Sequence, residues 1–184
     1  MKNMNNHNST GSMSGFTLME VLVTVVILSI GLLGVAGLQF SSLRGNHSAL
    51  HTTIAATLAV EGADRLRSNL SGVRNPVTGA DRNDYDLIIA AGADPGCIDT
   101  LCTYSEVAAH DAFEWITSIQ DQLPNGQGAI CRDSTPFDGT GSASHDCDGN
   151  PDVNGNDIFA VKVWWDHDLD PDTPFVAFRM SIIP

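Results

Sequence analysis

The chain has 184 residues and a formal net charge of −13, from 22 acidic against 9 basic side chains. That balance excludes a nucleic-acid binder working through a basic surface, because phosphate contacts need clustered Lys and Arg. The length provides for one modest folded domain once a polar N-terminal segment and an apolar run are set aside.

Residues 1–15 (MKNMNNHNSTGSMSG) are polar, rich in Asn and Ser, and carry Lys2 as their basic side chain. An ordinary secretory signal has its apolar core before the cleavage site. Here the apolar run follows Gly15, so a cut between Gly15 and Phe16 would leave it on the mature protein. Lys2 and the amino terminus favour a cytoplasmic leader by the positive-inside rule. An uncleaved signal anchor is the plain alternative, and a start at Met4 or Met13 would shorten the leader.

Val21 to Leu38 gives eighteen residues without a formal charge, long enough to span a bilayer at about 1.5 Å of rise per residue. Glu20 stands at the front of this run. A lone carboxylate at membrane depth costs on the order of 3 kcal/mol or more unless it finds a partner. Gly31, Gly34 and Gly37 lie within the span. Small residues there let helices approach closely; a locally weak segment that unwinds on leaving the bilayer is the alternative.

The helix is expected to continue past the span. From Gln39 to Leu70 no proline interrupts, and Leu43, Leu50, Ile54, Leu58, Leu66 and Leu70 recur on one stripe with Ala55, Ala56, Ala59 and Ala63 between them. Asn69, Ser71-Gly72 and Asn75-Pro76 signal its stop. A continuous helix from Phe16 to about Leu70 would be roughly 80 Å long. Its first half needs lipid or copies of itself; its second half needs a globular domain on one face.

Residues 72–102 read as an irregular connection, with Leu87-Ile88-Ile89-Ala90-Ala91 as its apolar piece. Thr103-Tyr104-Ser105-Glu106 fits a capping box opening a helix through about Leu123. Val107, Phe113, Ile116, Ile119 and Leu123 form its apolar stripe, with Trp115 beside it. Three strands are predicted: Gly128 to Arg132, Ile158 to Asp166, and Phe175 to Ile183. In the second, Phe159, Val161, Val163 and Trp165 alternate with Ala160, Lys162 and Trp164, which predicts one buried face. The order implies a small α+β domain: an antiparallel meander with the long helix packed on one face and one additional helix.

All four cysteines follow the span. If that part faces an oxidising compartment, two disulfides are expected. The four residues allow three connectivities. The pairing Cys97–Cys102 and Cys131–Cys147 is expected, since Asp94-Pro95-Gly96 and the helix start hold the first pair in a tight loop. Zinc competes, without the paired close spacings of a structural site.

Two acidic stretches invite a calcium reading. Asp146, Asp148, Asn150 and Asp152 alternate as in a calcium loop, but Pro151 replaces the turn Gly of an EF-hand and Asp157 its closing Glu. Asp166, Asp168, Asp170 and Asp172 alternate likewise. Solvated acidic loops are the simpler account of both. His47 and His51 stand four apart on the helix, a geometry that can hold a metal, though exposed polar pairs are commoner. No triad-like context marks an enzyme, and no cofactor is implied.

The arrangement Gly15-Phe16-Thr17-Leu18-Met19-Glu20 ahead of the apolar run resembles the leader and N-terminal helix of type IV pilins and type II secretion pseudopilins. Residues 31–39 (GLLGVAGLQ), Ser42-Leu43-Arg44, Ala63 to Asn69, Trp115, Leu123 to Gly128 and Val161 to Asp166 are similar to minor pilins of the PilV family. The Asp-rich segment 133–157 departs from that likeness as an insertion. The resemblance implies a pilin-like fold, with 1–15 a leader peptide, 16–38 the membrane half of the helix, 39–70 its amphipathic half and 71–184 a periplasmic domain. It implies a structural component and no enzyme. Prepilin peptidase would cut between Gly15 and Phe16 and methylate the Phe16 amine. Glu20 would offer its carboxylate to a neighbouring subunit's amine and so set register. The implied partners are other minor pilins and the major pilin, with the inner membrane as host before assembly and the pilus afterwards. The alternative is a minor pseudopilin of a type II secretion system.

Overall fold

The computed structural model describes residues 15–70, 84–151, 154, 157–167 and 173–184. The chain divides into two compact units, Met1–Gly45 and Asn46–Pro184. Helix α1 (Leu18–Ser68) is one 51-residue helix; residues 15 to 50 are exposed throughout. Gly31, Gly34 and Gly37 do not interrupt it, and among the described residues a Cβ at any of them would meet nothing within 4 Å. The stop signals Ser71-Gly72 and Asn75-Pro76 lie outside the described residues.

In the second unit α1 buries Ala55, Leu58, Ala59, Gly62, Ala63 and Leu66. Leu43, Leu50 and Leu70, expected on this stripe, are half or more exposed. The core begins only where the domain's own elements reach the helix. Helix α2 (Tyr104–Gln122) opens on the predicted capping box: Thr103 accepts from the Glu106 amide, and Glu106 accepts from the Thr103 amide at 2.7 Å. Its buried stripe is Ala108, His110, Ala112, Trp115, Ile116 and Ile119. Trp115 is thus central, and Val107 and Phe113 stand half-buried at the margin. The set 108, 112, 115, 116, 119 follows the helical period more closely than the stripe built on Phe113.

Strands β1 (Gln127–Arg132), β2 (Phe159–Trp165) and β3 (Val176–Ile182) form an antiparallel sheet in the order β1-β2-β3. Ile88 extends the outer edge of β1 by exchanging two backbone hydrogen bonds with Ile130, at 2.8 and 2.9 Å. One face of the sheet presents Ile130, Phe159, Val161, Val163, Trp165 and Ile182 to the core shared with α1 and α2. The Trp115 indole joins the layers. It donates from Nε1 to the Leu58 carbonyl at 2.7 Å, and a Cβ on Gly62 or on Gly128 would stand 2.9 or 2.8 Å from its ring atoms.

The other face of β2 departs from expectation. All seven residues of the strand are buried, Ala160, Lys162 and Trp164 included. The segment after β1, expected as a solvated insertion, lies over this second face. The Gly139 carbonyl accepts from Arg179, and the Ser142 amide donates to Gln127 at 2.8 Å. The Cys131–Cys147 disulfide ties the segment back to β1.

Candidate processing and assembly site

Gly15, Phe16 and Thr17 precede the first turn of α1 as non-helical chain. Thr17 takes the capping position: its carbonyl and its hydroxyl accept from the Glu20 amide at 3.1 and 3.3 Å. Phe16 is 83% exposed, and among the described residues nothing lies within 4 Å of a Cβ built on Gly15. Gly15 carries no side chain, which leaves its backbone open to close approach. Glu20 sits in the first helical turn, exposed. There it complements the positive end of the helix and points its carboxylate at no other described group. Residues 1–14 of the expected leader lie outside the described residues.

The cysteines are joined as Cys97–Cys102 and Cys131–Cys147, with Cα atoms 5.6 and 6.1 Å apart. Cys131, Cys147 and Asp133 bring three metal-ligand atoms within 4.8 Å of one another. With both sulfurs in the disulfide, no thiolate is left there for a zinc ion. Of the suggested calcium residues, Asp148 spends its oxygens on protein donors. It accepts from the Ser134 amide at 3.0 Å and hydroxyl at 2.5 Å, and from the Asn150 amide at 2.9 Å. Those bonds hold its carboxyl well below the usual range. Asp146 has a positive φ of 54°; Asp152, Asp168, Asp170 and Asp172 lie outside the described residues. Asp166 accepts from Asn125 at 3.3 Å. The His47 and His51 rings are 6.4 Å apart, and no third ligand joins them among the described residues.

Two charged constellations were not legible from spacing. Arg65 on α1 reaches Glu61, Asp111 and Glu114 at 2.8, 3.1 and 2.9 Å, and Tyr85 donates to the same Asp111. Beside them His110 bridges Asp94 at 2.7 Å and Glu114 at 3.5 Å; the Asp94 hydrogen bond raises the imidazole above its ordinary range. The second centres on Lys162, fully buried on β2. Its Nζ lies 2.5 Å from Asp133 Oδ2 and 2.7 Å from Asp138 Oδ1, and donates to the His145 carbonyl at 2.8 Å. Asp133 is fully buried as well, whereas the Asp138 side chain is 41% exposed. Burial works against the charge on Asp138, but the Lys162 ammonium and the Thr135 hydroxyl hold its carboxyl below the usual range.

The chain matches the family model described as the prokaryotic N-terminal methylation motif, over residues 12–36. No curated protein and no solved structure matches it. The motif supports a pilin-type protein, with processing by a prepilin peptidase and assembly with other pilins. Together with the apolar helix it supports membrane anchoring.

Proposed function

We propose that this chain is a minor pilin of the PilV type that primes assembly of a type IV pilus or is built into it, serving twitching motility and adhesion. The observation that carries the reading is the open Gly15-Phe16 bond standing directly before an apolar helix whose first turn holds Glu20, within the matched methylation motif. The newly exposed Phe16 amine is the methyl acceptor. Glu20 receives the amine of an adjoining subunit, and the pairing offsets the cost of holding either charge in an apolar bundle. That differential favours one axial register over others. Before assembly the helix crosses the inner membrane once, with residues 71–184 in the periplasm, where an oxidising environment suits both disulfides.

The test is the intact mass of the protein isolated from cells with and without the peptidase. The expected product with the enzyme begins at Phe16 and carries one methyl group; an unprocessed chain in both strains overturns the reading. Deletion then separates pilus from secretion system. Loss of surface pili with normal exoprotein release is expected, and the reverse result assigns the chain to the pseudopilins.

A further inference from the structure

We propose that Lys162 and Asp133 become joined by an intramolecular amide bond between Lys162 Nζ and the Asp133 side-chain carboxyl carbon. The two groups sit 2.5 Å apart, both fully buried, on a sheet face sealed by residues 133–147. Two hydrogen bonds anchor the ammonium, to Asp138 Oδ1 and to the His145 carbonyl, and they hold Nζ 2.5 Å from Asp133 Oδ2, which accepts no hydrogen bond among the described residues. Orientation of this kind raises intramolecular reactivity to effective molarities of about 10⁵–10⁸ M. A buried ion pair costs several kcal/mol per ion in desolvation. Condensation removes both charges, and the site excludes the water that would hydrolyse the product.

The two carboxylates are not equivalent. Asp133 is enclosed and becomes the electrophile; Asp138, part-exposed and ionised, carries the proton. One proton passes from Nζ to Asp138, and the freed lone pair attacks Asp133 Cγ. The tetrahedral adduct loses one Asp133 oxygen as water, taking the proton back from Asp138 and a second one from nitrogen. One C–N bond forms and one C–O bond breaks; the sole by-product is water and no redox partner is needed. The bond would fasten the end of β1 to central strand β2 beneath the Cys131–Cys147 bridge, closing the outer face covalently from two directions. This inference does not rest on the filament reading.

The test is peptide mapping of the full chain isolated from cells, denatured, reduced, alkylated and digested with trypsin. No Lys or Arg lies between Asp133 and Lys162, or between Val163 and Arg179. The expected product is therefore a single peptide, 133–179, uncut at Lys162 and lighter than its linear mass by one water, with fragments placing the link on Asp133. Separate peptides 133–162 and 163–179 overturn the proposal. They do so even if the first has lost water, since that marks a succinimide at Asp138-Gly139 or Asp148-Gly149. A link to Asp138 overturns the assigned acceptor. Asp138→Asn is expected to leave most of the protein uncrosslinked, and crosslinking at the wild-type level there overturns its proton-carrying role.

Discussion

At the scale of single residues, Gly62 and Trp115 show how one side chain dictates another position. The indole fills the space a Cβ on Gly62 would occupy, at 2.9 Å, and its N–H is committed to the Leu58 carbonyl. Gly62→Ala gains up to about 1 kcal/mol of helix propensity but overpacks a full core, at a typical cost of about 1–3 kcal/mol. A net lowering of the thermal midpoint is expected, smaller when Trp115→Phe is already present, because residues in contact are not additive. A midpoint raised by Gly62→Ala would contradict the wedge. By contrast Gly31, Gly34 and Gly37 face open space within the chain. Any constraint on them comes from lipid or from another copy. The sequence places the first three in the apolar span and Gly62 in the amphipathic half, but nothing in it announces that Gly62 faces the indole of Trp115.

At the scale of elements, helices and strands were readable because each carries its own period and boundary signals. The capping box at Thr103 and the alternation in β2 placed α2 and the strand to within a residue or two at each end. The second buried face of β2 was not readable. An Asp/Gly/Ser-rich segment has no period that announces packing, and Lys162, Arg179, Gln127 and the disulfide tie it to the sheet. Cys131 and Cys147 are 16 residues apart, and closing a loop of about that length contributes roughly 3 kcal/mol in the chain-entropy model. Cys97 and Cys102 close a loop of separation 5 in exposed chain. Cys131→Ser is therefore expected to speed hydrogen exchange across 134–150 and to lower the yield of folded domain more than Cys102→Ser. Equal effects would mean that the segment is held by its polar contacts alone.

At the scale of the whole molecule, the first unit shows no core of its own among the described residues: Phe16 and the large apolar residues through Leu43 are all exposed. A domain held by the second unit's core has no use for Glu20, so Glu20→Ala is expected to leave export and disulfide formation intact. It should at the same time abolish most recovery of the protein with partner pilins. Normal piliation and normal co-purification in that variant would remove the register role. The sequence by itself determined the methylation motif, the apolar span and the α+β order, because cleavage, insertion and periodic burial are all read locally along the chain. Only the tertiary structure decided that Trp115 bridges the layers, that Lys162 is buried against Asp133, and that the acidic segment covers the sheet. Those outcomes depend on residues distant in sequence meeting in space. A charged side chain reveals nothing of its burial until the partners that offset its desolvation are in place.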